Sequence, residues 1–313
     1  MMEHFVTLFD SLFMPQGIAL QMSMERHLKD YTLWVVCVDD TAFEVLSRLK
    51  LENVRPLQLR KYETEELLRV KGERTIGEYC WTLTPFTPSF VFSEDASIER
   101  VTYLDSDVWF LDKPSVAFDE LGHEKSVLIT KHAYYPEYDF SDSAGIYCVQ
   151  FMTFVRGPSS SVLDWWQKRC IEWCYAKYED GKFGDQLYLN KWSELFPDKV
   201  HILSYGGYTL APWNIQRYPY SDAFLYHFQG LRLLKNNKVL LAPPLAMIQP
   251  IMNGIYRPYL LDISKAIKLL AAVNFIARPQ RPNVSIKEWA ISIAREIKRL
   301  INKLGRIRVV NLD

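Results

Sequence analysis

A chain of 313 residues, 49% hydrophobic and 14% aromatic, carries enough apolar material for a large core, which excludes a mostly disordered protein. Lys plus Arg and Asp plus Glu both number 37, so net charge gives no ground for nucleic-acid binding. No run of about 18 apolar residues and no basic-then-apolar leader occurs, so a cytoplasmic location is expected, without a secretory signal or spanning helix.

Alternating strand and helix patterns fill the first 130 residues. FVTLF (5–9) reads as a strand, 18–28 as a helix, TLWVVCV (32–38) as a strand and 41–49 as a helix. VRPLQL (54–59) is a weaker strand and 63–70 is helical; VTYL (101–104) and SVLIT (126–130) follow as strands. This alternation predicts an α/β fold with a mixed, mainly parallel sheet covered by helices on both faces. Ligands of such sheets gather beyond the carboxyl ends of the strands. VVCVDD and VTYLDSD both end in acids there, so the two acid clusters are expected to share one crevice.

SAGIYCVQFMTFVRG (143–157) is β-rich, and 159–178 is expected as a helix whose Trp165, Trp166 and Trp173 serve packing. DGKFGDQLYLNKW (180–192) is a glycine-bearing loop opening a second helix; HILSY (201–205) and FLYHFQG (224–230) follow. The five cysteines, Cys37, Cys80, Cys148, Cys170 and Cys174, are scattered among apolar neighbours, as reduced core thiols are. A boundary is expected near residue 255, with a helical region over 256–313. There, 263–276 is apolar nearly all round, RPQRP (278–282) breaks the chain, and Ser285 with Glu288 forms a capping box for a last helix. From Lys287 to Arg308 seven basic residues face two acidic ones, and the apolar residues fall on one side. Residues 285–308 thus read either as a packing helix or as a peripheral contact with anionic membrane.

Asp105-Ser106-Asp107 at a strand end has two functional readings and a plain one. The pair can hold a divalent cation that neutralises the diphosphate of a nucleotide-sugar, for which hard carboxylate ligands suit Mg2+ or Mn2+. It can instead serve a haloacid-dehalogenase-type phosphatase, as nucleophile and acid. The plain reading is a solvated turn after a strand. A phosphatase of that type carries its pair on the first strand, whereas here it arrives about 100 residues in.

VTYLDSDVWFL, EDGKFGDQLYLNKW and FLYHFQGLR occur in the order found in GT-A glycosyltransferases. The chain resembles family 8 and related bacterial glycosyltransferase-like proteins of surface-polysaccharide clusters, over about residues 4 to 235. The resemblance implies a GT-A (Rossmann-like) catalytic domain over 1–255, a nucleotide-diphosphate sugar donor (UDP-linked), a glycan or lipid-linked acceptor, Mn2+ or Mg2+, and a retaining transfer. It implies Asp105, Asp107 and His227 as metal ligands, with Asp105 and Ser106 also facing the donor. Asp185 would accept bonds from sugar hydroxyls, and Gln186 would lie near the anomeric carbon; Gly184–Asp185 also suits a helix N-cap. Thr7, Asp39 and Asp40 are candidates for the nucleoside, and Lys131 and His132 for phosphate or acceptor. The chain departs from the family in Tyr147-Cys148-Val149-Gln150, where the family carries an amide residue at the place of Cys148 and glycine at that of Gln150. That departure keeps open a second class, a silent GT-A-like binding or scaffold protein.

Overall fold

The computed structural model describes residues 2–241, 249–280 and 308–312. The basic helix expected over 285–308 lies outside these, apart from Arg308, which opens a strand.

The first half alternates strongly. β1 (Glu3–Phe9), α1 (Met14–His27), β2 (Tyr31–Cys37), α2 (Asp40–Leu49) and β3 (Val54–Gln58) succeed one another. Three helices follow, α3 (Glu65–Lys71), α4 (Ile76–Leu83) and α5 (Thr87–Glu94). Next come β4 (Arg100–Leu104), β5 (Val108–Phe110), α6 (Ser115–Leu121) and β6 (Val127–Lys131). After the short α7 (Ser141–Ala144) the chain forms β7 (Tyr147–Val155), α8 (Ser160–Glu172), α9 (Trp192–Leu195), β8 (Val200–Ile202), β9 (Thr209–Leu210) and β10 (Leu225–His227). The remainder comprises β11 (Arg232–Leu233), β12 (Lys238–Leu241), α10 (Gln249–Ile251), α11 (Arg257–Ala272) and β13 (Arg308–Asn311).

Seven strands make one sheet in the order β3-β2-β1-β4-β7-β6-β8. Only β7 runs against its neighbours, β4 and β6. The strands are buried on both faces, as a helix-covered sheet requires. Strand order reverses between β1 and β4, so the carboxyl ends of these two open a crevice at a topological switch point. Two small three-stranded sheets lie outside it, β5-β10-β9 and β11-β12-β13.

Several expectations are revised. The helix expected over 159–178 stops at Glu172, because Trp173 is extended (ψ 125°). The expected second helix is a 3-10 stretch over Leu187–Lys191 followed by the four-residue α9. α4 and α5 had no clear periodic signature, although α4 has a capping box, Thr75 with Glu78. α11 begins six residues before the apolar run and is one-sided. Tyr259, Leu260, Ile263, Ala266 and Leu270 are buried, whereas Leu261 is 58% exposed. Ala266 and Leu270 share a core with Phe5, Val35 and Phe110, and Asp262 accepts from Trp109 Nε1 (2.9 Å) and Arg26 (2.6 Å). α11 therefore packs onto α1 and α2 and shares the core on that side of the sheet. Among the described residues no helix is long and apolar enough to cross a membrane.

Candidate active site

The acids that close β4 sit in a tight turn. Asp105-Ser106-Asp107 link β4 to β5, with the Val108 N–H reaching the Asp105 carbonyl at 3.4 Å. β5 is only three residues long, yet it aligns antiparallel with β10 and sets His227 opposite Val108. The Phe228 N–H donates to the Asp107 carbonyl at 2.8 Å, fixing that register. His227 Nε2 lies 3.0 Å from Asp107 Oδ1 and 3.7 Å from Asp105 Oδ2. One ligand atom from each of Asp105, Asp107 and His227 falls within 4.8 Å of the others.

Electrostatics follow from this crowding. Burial pushes the Asp105 carboxyl up to about 6, opposed by His227 and reinforced by Asp107. Burial would lower His227, but the Asp107 carboxylate beside it overrides this and raises it well above its ordinary value. Asp107 in turn is held below its ordinary value, burial being outweighed by His227. Two half-buried carboxylates facing one buried imidazole form a donor set that suits a hard or borderline divalent cation, whose charge would let both acids ionise. The residues fit such an ion.

Around this group the chain supplies further partners. The Tyr103 hydroxyl donates to Asp105 Oδ1 at 2.9 Å, and the Asp105 N–H donates to the Gln150 carbonyl at 3.3 Å. Gln150 Oε1 lies 3.0 Å from His227 Nδ1. The Trp213 ring stands edge-on to His227, centroids 5.6 Å apart. Sequence reasoning marked Gln150 only as a family departure. Its signal was present, an amide within the apolar run of β7, where a buried polar side chain requires a partner.

Asp185 is 3% exposed, and its Oδ2 has no hydrogen-bond partner. Burial, then the charge of Asp105, lifts its carboxyl to about 7. It is not the expected N-cap: the following 3-10 turn has Gln186 at the cap position and no side-chain cap bond. Its place is set instead by Trp166 Nε1 donating to its carbonyl at 2.8 Å, and by Gly184. Gly184 has φ +51°, and a Cβ there would press on Trp81 at 3.2 Å, so glycine is needed for the turn. Gln186 turns its amide to the Ala144 carbonyl (2.8 Å).

The other candidates are less concentrated. Asp39 caps α2 through the Ala42 N–H (2.7 Å) and accepts from the Ser11 N–H (2.9 Å) and hydroxyl (2.7 Å). Asp40 is exposed and meets Gln58 (2.9 Å) and Arg60 (3.4 Å). Both line a cleft of about 280 Å³ with Arg60, Glu63 and Lys71. Thr7 is fully buried within β1, its hydroxyl without a partner. Lys131 is exposed at the end of β6. His132 is buried, stacked on Tyr134 (4.7 Å), with Nδ1 2.8 Å from the Gly145 carbonyl. Burial lowers it to about 3, so it is neutral at pH 7. Ser106 is half-buried in the turn, and Cys148 is buried at the start of β7. The structure thus gathers Asp105, Asp107, His227 and Asp185, with Gln186 adjacent in sequence.

No family model matches the chain. It is 30% identical over 243 residues to YfnF of Bacillus subtilis strain 168, covering 72% of this chain and 80% of YfnF. It is 30% identical over 280 residues to YfnD of the same organism, covering 84% of this chain and 89% of YfnD. Both relatives are described as uncharacterized. Among solved structures, the apo form of the glycosyltransferase GlyE of Streptococcus pneumoniae TIGR4 superposes with TM-score 0.53 at 13% identity, covering 88% of this chain and 64% of GlyE. The apo structure of the bifunctional glycosyltransferase WbbM superposes with TM-score 0.53 at 12% identity, covering 88% of this chain. The chain spans about half the WbbM chain, 52%. The fold is the GT-A fold of these proteins.

Proposed function

The chain belongs to the same family as YfnF and YfnD of Bacillus subtilis, and on that premise we propose that it is a metal-dependent glycosyltransferase. It transfers a hexose from a UDP-linked sugar to a glycan or lipid-linked acceptor of the bacterial surface, with retention of configuration. The observation that carries this reading is the convergence of Asp105, Asp107 and His227 within 4.8 Å at the switch point of the sheet. The resemblance to family 8 supports the finer points of donor and stereochemistry.

When bound, Mn2+ or Mg2+ supplies Lewis-acid stabilisation of the departing nucleoside diphosphate. Asp105, Asp107 and His227 would hold it, with Asp105 and Ser106 turned to the donor. Asp185 sits beside Asp105 with one oxygen unpaired, ready to accept a sugar hydroxyl. Its carboxyl ionises more readily once the charge of Asp105 is compensated, which favours that acceptor role. Gln186 is fixed through Ala144 next to it. Asp39 and Asp40 at the start of α2 and Thr7 in β1 would receive the nucleoside, and Lys131 and His132 would meet phosphate or acceptor.

The test is incubation with a panel of nucleotide-sugars and Mn2+, with and without chelator, measuring free nucleotide. Chelator-sensitive release from one donor is expected. Neither binding nor release across the panel would instead favour a silent scaffold. The basic sequence over 285–308 supports a position at the inner face of the cytoplasmic membrane. Flotation with anionic vesicles should then fall sharply for a chain truncated after Pro282, and undiminished binding would remove the membrane contact.

A further inference from the structure

We propose that Gln150 is a positioning residue that sets His227 in the tautomer and orientation a metal ligand needs; this rests on the metal-dependent reading above. Gln150 is fully buried in the middle of β7. It touches both halves of the metal group at once. Its carbonyl accepts the Asp105 N–H at 3.3 Å, and its side-chain Oε1 lies 3.0 Å from His227 Nδ1. With Nδ1–H donating to that oxygen, the one proton that a metal-ligating imidazole keeps is held on Nδ1. The lone pair is then on Nε2, the atom 3.0 Å from Asp107 Oδ1 and 3.7 Å from Asp105 Oδ2. A ligating histidine oriented by an acceptor on its other nitrogen is a recurrent arrangement in metal sites.

The side chain is poorly matched to a purely structural role. Its Nε2 is buried without a hydrogen-bond partner, whereas an apolar residue at this place would leave no amide N–H unpaired. Its neighbours Val149, Phe151 and Met152 are apolar and buried. The contact that accounts for an amide here is the one to His227. It also gives a physical meaning to the departure from glycine: a glycine has no side chain to reach the imidazole.

The experiment compares wild type, Gln150→Leu, Gln150→Glu and Asp107→Asn. Mn2+ binding is read by electron paramagnetic resonance without donor, and the His227 Nδ1–H by ¹⁵N-resolved NMR of the metal-free protein. Gln150→Leu should weaken Mn2+ binding by roughly 10- to 100-fold and lose exchange protection at Nδ1–H. Gln150→Glu, which keeps an acceptor, should restore the protected proton. Unchanged Mn2+ affinity, or an equally protected Nδ1–H in Gln150→Leu, would overturn the positioning role. A wild type that binds Mn2+ no better than Asp107→Asn would sink the metal-dependent reading instead. Loss of Nδ1–H protection in Gln150→Leu would then still establish the contact that orients His227.

Discussion

Two acid clusters end strands of the same sheet, and their surroundings treat them oppositely. At the end of β2, Asp39 is satisfied on both oxygens, by the α2 N-terminus and by Ser11. Asp40 beside it stands in solvent, its side chain 58% exposed against Arg60. At the end of β4, Asp105 and Asp107 are partly enclosed and share one imidazole, and Asp105 lies close enough to Asp185 for its carboxyl to feel that charge. The sequence pattern is nearly the same in both places. What distinguishes them is compensation: carboxylates that find enough donors stabilise the fold, whereas buried ones that do not are poised for a cation or a ligand.

The largest expected effect breaks the β4 cluster. Asp107→Asn should lower kcat/KM for nucleotide release by on the order of a thousandfold, about 4 kcal/mol. It should also change the pH dependence of stability. His227 is raised in the folded chain, so its contribution is fully present below its unfolded pKa near 6.5 and is lost as pH rises through the higher folded value. Removing Asp107 removes that contribution, so the variant should be less stable than wild type at pH 6–7. The deficit should shrink towards high pH in thermal melts taken without metal.

Asp185→Asn sharpens the comparison from the other side. Its carboxyl rises from 3.8 unfolded to about 7 folded. Ionisation therefore costs the folded chain stability, a penalty absent below about pH 4 and complete above about pH 7. The neutral amide should make the protein more stable by roughly 2–4 kcal/mol at pH 8, with the gap closing as pH falls towards 4. Nucleotide release should fall sharply in the same variant. A variant no more stable than wild type at pH 8 would remove the idea that Asp185 is kept at the expense of stability.

These contrasts show how far residues alone carry the reading. β1, β2, β4 and their helices were legible, because buried parallel strands are apolar, β-branched and punctuated by helical periodicity. The Asp-x-Asp turn was legible for the same reason, as polar residues interrupting an apolar run. His227 was reached only through resemblance. It is placed by the pairing of two three-residue strands more than 100 residues apart, a register that local periodicity does not encode. The end of α8 was misjudged because Cys170 and Cys174 keep helical spacing across the break at Trp173. Asp185 as an N-cap failed because the turn after Gly184 tightens into 3-10 geometry. The partners of Asp39 and Gln150 depend on neighbours 28 and 77 residues away, so their distinct roles appear only once the sheet is assembled.

At the end of β2 the effects should be structural and smaller. Asp39→Ala removes an N-cap and leaves Ser11 without its acceptor, so stability should fall by about 1–2 kcal/mol in denaturant titrations. Asp39→Asn, which keeps one acceptor oxygen, should lose less. A loss below about 0.5 kcal/mol for Asp39→Ala would show that the cap is compensated by water.

The smallest stability effect is expected next door. Asp40 pairs with Arg60 at 3.4 Å, but the side chains are 58% and 66% exposed. Solvent and salt screen such a pair to about 0.5 kcal/mol or less. Asp40→Ala should therefore leave the melting curve almost unmoved, which makes it a clean probe of the cleft it lines with Arg60, Glu63 and Lys71. If the cleft receives the nucleoside, the variant should bind UDP several-fold more weakly in calorimetric titration while its stability is unchanged. Equal UDP affinity would take Asp40 out of the donor pocket. Only the partly enclosed cluster at the end of β4 would then carry the chemistry, and the acids at the end of β2 would serve the fold.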